Sequence, residues 1–159
     1  MCNGFILKRM IKTNEYYMNL ALKEAKKASK KKEVPVGAIL VDESGKIIAK
    51  AHNKRTIKSD VSAHAEVLVL RKAAKKVKEW RLPNLTLFVT LEPCLMCASA
   101  IVQSRIKEIV IGAQEFKSGS FGSTHDILKL ENYKMKVERG ILEKESLDLL
   151  KKFFKELRN

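Results

Sequence analysis

Two short segments about thirty residues apart carry the groups best suited to chemistry: His64-Ala65-Glu66 and Pro93-Cys94-Leu95-Met96-Cys97. Together they supply one imidazole, two thiols and one carboxylate. A structural zinc usually closes on four protein ligands, whereas a catalytic zinc takes three and keeps one position for water. Three ligands, His64, Cys94 and Cys97, with a separate carboxylate therefore point to catalysis. Charge counting sharpens the role of Glu66. Two thiolates cancel the charge of a zinc dication and neutral His64 adds none, so such a centre acidifies water less than an all-histidine one. A nearby base is needed, and Glu66 is expected to take a proton from water and return it to a substrate nitrogen.

Both segments fall where helices are expected to begin. Pro93 suits a first helical turn, where its missing N–H would be unpaired anyway. A helix N-terminus favours negative charge, which biases Cys94 and Cys97 toward the thiolate form that binds metal. Their i, i+3 spacing sets both sulfurs on one side of that turn. Residues two apart in a regular helix diverge, so the joint use of His64 and Glu66 requires His64 at the helix edge. Taken alone, the two cysteines could be a redox pair or half of a structural zinc knuckle. A fourth structural ligand would have to be Cys2, His52 or His125, and none has helpful spacing.

The elements that must position these groups follow from periodicity. Thr13 caps a predicted helix carrying Met18, Ala21, Leu22 and Ala25 as one stripe. The apolar run Val34 to Val41 reads as a strand, Asp42 to Gly45 as a turn and Lys46 to Ala51 as the returning strand of a hairpin. His64 to Lys78 reads as a helix, Leu85 to Thr90 as a buried strand, the segment from Pro93 through Gln103 as a helix and Lys107 to Gly112 as a strand. Strand and helix in alternation imply crossover units and a partly parallel sheet. The glycine- and serine-rich loop Ala113 to Ser123 is expected to be mobile. The last helix places Leu150, Phe153, Phe154 and Leu157 on one face. The fold class is α/β, with helices covering a mixed sheet.

The chain has 159 residues, and 45% of them are hydrophobic, enough for the core of one compact domain. Residues 1–12 read as a loose extension ahead of it. No apolar run is long enough to span a bilayer, and the opening residues are not a secretory signal. Three cysteines do not make a disulfide framework, so a reduced, cytoplasmic setting without membrane attachment is expected. Lysine and arginine number 32 against 18 acidic residues, a net charge of +14. That excess favours an anionic partner, nucleic acid first, although a generally lysine-rich proteome would also produce it.

His-x-Glu followed by Pro-Cys-x-x-Cys is the signature of zinc-dependent nucleoside and nucleobase deaminases. The chain resembles the bacterial tRNA adenosine deaminases more widely, through EVPVGAILV from Glu33, Ala51-His52-Asn53, SAHAEVLVLRKA from Ser62, VTLEPCLMCASAIVQSRI from Val89 and the terminal LLKKFFKELR. The resemblance implies a three-layer α/β/α cytidine-deaminase-like fold with a mixed sheet of about five strands. It implies hydrolytic conversion of adenosine to inosine at the wobble position of a tRNA anticodon stem-loop. It further implies one zinc per subunit on His64, Cys94 and Cys97, Glu66 as proton shuttle, and a homodimer whose RNA site draws on both subunits. Asn53 would hydrogen-bond the flipped base and Val36 would line its pocket. Asn132-Tyr133, Thr124 and His125 depart from the family pattern at positions that bear on RNA contacts. Two rival readings are a deaminase of free guanine or cytosine and a zinc-stabilised RNA-binding protein without catalysis. The charge disfavours the first, and Glu66 beside an open metal position disfavours the second.

Overall fold

Alternation of inward-facing residues along the apolar run at Gly37–Asp42 builds the central hairpin. In the computed structural model, which describes residues 12–159, this run is β1 and pairs antiparallel with β2, Ile47–His52. The turn between them is held by the Asp42 carboxylate, which accepts from the amides of Ser44 and Lys46. On its other side β1 pairs antiparallel with β3, Leu85–Leu91. From there the sheet turns parallel, with β4, Glu108–Ala113, and β5, Lys136–Arg139, completing the order β2-β1-β3-β4-β5. The mixed five-stranded sheet expected from sequence is therefore present. Cys2 and nearly all of the expected N-terminal extension lie outside the described residues.

Helix α1, Asn14–Lys30, starts at Thr13, whose hydroxyl accepts from the Tyr16 amide. Its stripe of Met18, Ala21, Leu22 and Ala25 is buried as the spacing predicted. Tyr17, Met18 and Ala21 pack with Ile39, Val41, Phe88 and Val110 on one face of the sheet. The approach is close at Gly37, where an added Cβ would lie 2.0 Å from the Ala21 carbonyl oxygen and 2.6 Å from the Ala25 amide nitrogen. On the other face, Ala38, Leu40, Leu87, Val89, Ile109 and Ile111 pack against α3, Ala65–Val77, and α4, Leu95–Gln103. Two one-turn helices, α2 at Arg55–Lys58 and α5 at Ile127–Leu130, lie in the connections. The terminal helix α6, Glu143–Leu157, joins α1 on its side of the sheet. Helix, sheet and helix form the three layers.

One feature departs from expectation. On α6 only Phe153 of the predicted apolar face is buried, while Phe154 and Leu157 are exposed. The helix meets the sheet along a narrower line than its sequence suggests, with Ser146 buried against β4 at Gly112. At the edge strand β2, the outward carbonyls of Ile48 and Lys50 accept hydrogen bonds from the ammonium groups of Lys76 and Lys72 on α3.

Candidate active site

Helices α3 and α4 both begin on the same side of the sheet, and their first residues face each other. His64 is the N-cap of α3 and Cys94 the N-cap of α4, each with extended backbone and neither spending its side chain on the cap. Pro93 consequently sits one residue before the cap rather than in the first turn. Its fixed φ steers the strand-to-helix corner and leaves the cap to Cys94. Being an N-cap also resolves the geometry of the first pair, since His64 leaves the helix edge while Glu66 enters the first turn.

The three expected ligands converge. His64 Nδ1 lies 3.8 Å from Cys94 Sγ and 3.5 Å from Cys97 Sγ, and the ligand atoms all fall within 4.8 Å of one another. Zinc-type bonds of about 2.0–2.1 Å to nitrogen and about 2.3 Å to sulfur in a tetrahedron require N···S separations of about 3.5–3.6 Å. The 3.5 Å separation matches and the 3.8 Å one is slightly longer, so the donor set fits a tetrahedral ion, and a cavity lined by His64 and Cys94 opens beside it. Among the described residues no other such group forms. His52, once a conceivable ligand, is instead buried against α1, where its Nδ1 pairs with the Glu24 carboxylate at 2.9 Å.

Electrostatics agree with this assignment. The two cysteine sulfurs share one proton: the hydrogen bond from Cys97 draws the Cys94 thiol down to about 4, with His64 adding to the effect. Holding that proton, together with burial, pushes Cys97 upward. The hydrogen bond to Cys94 outweighs desolvation and raises His64. Such a set releases its protons to a cation. Glu66, only 4% exposed, is pushed up to about 7 chiefly by burial. A carboxyl titrating near neutrality is suited to accepting and returning a proton.

A cavity of ≈ 150 Å³ opens over these groups, lined by Val36, Asn53, His64, Glu66, Glu92 and Ser118 among others. Asn53 is buried at the end of β2, its Oδ1 accepting from the Arg55 amide and its Nδ2 donating to the Val34 carbonyl. Each half of that amide retains one further hydrogen-bonding position. Val36 is tied to the same place, its carbonyl accepting from the Asn53 amide at 3.0 Å. Thr124 and His125 are exposed, and the Thr124 hydroxyl donates to the Phe116 carbonyl. Tyr133 packs against the core with the Arg105 guanidinium 5.7 Å from its ring centroid. A larger cavity of ≈ 570 Å³ lies at the opposite ends of β1 and β3. Its Lys107 is paired with Glu43 at 2.6 Å, and none of the ligating trio is near it.

One residue that spacing did not single out is Glu92. Its buried carboxylate accepts from the amides of Glu115, Phe121 and Ser123 and from the Ser123 hydroxyl. The loop expected to be mobile is bound to it. The only sequence signal was an acidic residue directly before Pro93.

The MafB19-like deaminase family model matches residues 12–158. The tRNA-specific adenosine deaminase of Bacillus subtilis (strain 168) is 49% identical over 147 residues, covering 91% of both chains. That of Haemophilus influenzae is 45% identical over 148 residues, 91% of this chain and 85% of the relative. Among solved structures, one from a study of A-to-I editing by tRNA:A34 deaminases superposes with a TM-score of 0.82 at 41% identity, covering 85% of this chain and 99% of the other. A guanine deaminase from Nitrosomonas europaea superposes at 0.80 with 24% identity, over 91% and 86% of the two chains, a likeness of fold alone. With His64, Cys94 and Cys97 converging beside a buried carboxylate at two facing helix starts, the chain belongs to the MafB19-like deaminase family, among the tRNA-specific adenosine deaminases.

Proposed function

We propose that this chain is a single-domain hydrolase that converts adenosine to inosine at the wobble position of a tRNA anticodon stem-loop. The observation that carries the reading is the meeting of His64, Cys94 and Cys97 with buried Glu66 at the floor of a cavity walled by Asn53 and Val36. His64, Cys94 and Cys97 would hold one zinc ion, which when bound supplies Lewis-acid activation of water.

The chain's own groups account for the rest. The Glu66 carboxylate accepts a proton from the attacking water as its oxygen bonds to C6 of adenine. It passes that proton to N1, which takes up the ring electron pair, then carries the remaining hydroxyl proton to the exocyclic nitrogen; the C6–N bond breaks, ammonia leaves and the C6 carbonyl of inosine remains. Burial of Glu66 keeps competing solvent away from this transfer. The spare amide positions of Asn53 fix the base edge, and Val36 packs against its face. A base reaches such a pocket only when it is splayed out of its stack, which the nucleotides of a single-stranded loop allow. The net charge of +14 suits a polyphosphate substrate far better than a neutral free base.

The same reading includes a homodimer in the cytoplasm. Exposed Ile57, Val61, Leu95 and Met96 support the dimer, Leu95 and Met96 directly following Cys94 at the start of α4. Among the described residues no helix is long and apolar enough to cross a membrane.

The test is incubation of the zinc-loaded protein with a stem-loop carrying adenosine at the wobble position, followed by sequencing. An A-to-G readout there is expected. Absence of that readout, with turnover of free guanine or cytosine, would overturn the RNA substrate. Zinc binding without either activity would favour a non-catalytic protein.

A further inference from the structure

The segment Ala113 to Ser123 has almost no core of its own, with Phe121 as its one large buried side chain beyond the strand end. Yet Ser118 and Glu115 line the substrate cavity, so the segment forms that cavity's outer wall. Besides the buried Phe121 side chain, the bond from the Ser120 amide to the Pro93 carbonyl and the bond from the Arg139 guanidinium to the Phe121 carbonyl, its two ends are joined by a single carboxylate. Glu92 Oε1 accepts from the amides of Phe121, at 2.9 Å, and Ser123, at 3.1 Å. Its Oε2 accepts from the Glu115 amide at 3.1 Å and from the Ser123 hydroxyl. Four donors from both ends of one loop therefore meet both oxygens of one buried acid. The acid itself is fixed, because its amide donates to the Ala113 carbonyl at 2.8 Å. Gly119 completes the fit, as a Cβ there would lie 2.6 Å from the Glu92 carboxylate.

We infer that Glu92 is a positioning residue whose carboxylate closes the 115–123 loop over the cavity, so that substrate affinity depends on it more than the chemical step does. The physical argument is one of population. Hydrogen bonds to a carboxylate are the strong ones, and Glu92 is the side chain that bonds both the Glu115 and the Ser123 ends of this loop, whose middle, Phe116 to Ser118, is exposed. If only a fraction of molecules keep the wall in place, apparent affinity falls by that fraction. Once RNA is bound the wall is closed, and Glu66 works as before. Substitution by glutamine preserves size but offers acceptor character at one oxygen only, turning a donor group toward two of the four donors.

The inference rests on the cavity being the base site. The experiment uses zinc-loaded full chain with an anticodon stem-loop as substrate, and compares wild type with Glu92→Gln and the milder Ser123→Ala. Glu92→Gln is expected to raise KM about tenfold, with kcat changed much less and bound zinc still near one per chain. Ser123→Ala, which loses one donor, is expected to raise KM severalfold and decides the matter if the glutamine variant fails to fold. Hydrogen exchange without RNA should be faster at the amides of Glu115, Phe121 and Ser123 and unchanged within α4. An unaltered KM beside a lost kcat, or zinc lost with unaltered loop exchange, would overturn the inference. Failure of wild type to act on the stem-loop would instead sink the proposed substrate, while the exchange measurement would still decide the clamp.

Discussion

Replacing Glu66 by glutamine separates what this residue does for chemistry from what it costs the fold. Glutamine fills the same volume, so no cavity opens beside His64 and Cys97. General acid–base catalysis contributes about 10²–10⁴-fold, and in the proposed mechanism one carboxylate both removes and returns the proton. No substitute is at hand, because both Glu92 oxygens are occupied by donors and a Glu115 oxygen accepts from the Lys117 amide. Loss of at least about 10⁴-fold in kcat is expected, or about 5.4 kcal/mol at 1.36 kcal/mol per factor of ten. Stability should move the other way. A folded-state carboxyl raised from 4.5 to about 7 binds its proton more tightly than the unfolded chain does. Its contribution is favourable at low pH and falls as pH rises across that window. At pH 8 it costs the metal-free protein at most about 3 kcal/mol. Glu66→Gln removes that cost, so urea unfolding of the metal-free variant at pH 8 should show a higher midpoint than wild type, with the difference shrinking by pH 5. Turnover within tenfold of wild type, or zinc released together with the carboxylate, would refute the reasoning.

Cys94→Ala should abolish stoichiometric zinc binding, and the melting temperature should stop responding to added zinc, measured by metal analysis and thermal melts. Gly37→Ala forces a Cβ against the α1 backbone and should lower stability by about 3 kcal/mol or more by chemical unfolding, beyond ordinary overpacking because backbone cannot yield as a side chain does. The pair of Glu24 and His52 sets an acid limit. Burial lowers His52, so from 6.5 downward the unfolded chain takes up its proton first and stability falls. Burial opposes Glu24 ionisation, but the bonds from Lys27 and His52 outweigh it and hold that carboxyl low. Its stabilisation, present above 4.5, is lost as pH falls through its folded value. In a Glu66→Gln background, which lacks the opposing titration of Glu66, unfolding midpoints of the metal-free protein should therefore decline with pH below about 6.5, and adding His52→Gln should flatten that decline between pH 6.5 and 5.

The convergence of His64, Cys94 and Cys97 was legible because these residue types are rare and their local spacing is chemical: Cys94 and Cys97 one turn apart, His64 and Glu66 at a helix start. Helix α1 was legible from Met18, Ala21, Leu22 and Ala25, since periodic burial is a local property. Glu92 was not. Its partners lie 23 to 31 residues further along the chain, and nothing in glycine and serine content reveals a distant acceptor waiting for their amides. The same composition suggested a mobile loop for the same reason. On α6, Phe154 and Leu157 share a face with Phe153, but periodicity reports amphipathic character and not how wide a strip the sheet covers. Pro93 was misplaced by a single position because Cys94, not proline, has the extended backbone of the cap.

The lysines of α3 that reach the carbonyls of Ile48 and Lys50 have a bearing on solubility. An edge strand with free carbonyls is a template on which another chain can add a strand. Lys72 and Lys76 occupy that template with ammonium groups, and an incoming strand would have to displace them. Part of the positive charge that suggests an anionic partner is thus engaged in keeping copies of this protein from polymerising along β2, and neutralising those two lysines should encourage aggregation before it weakens any grip on RNA.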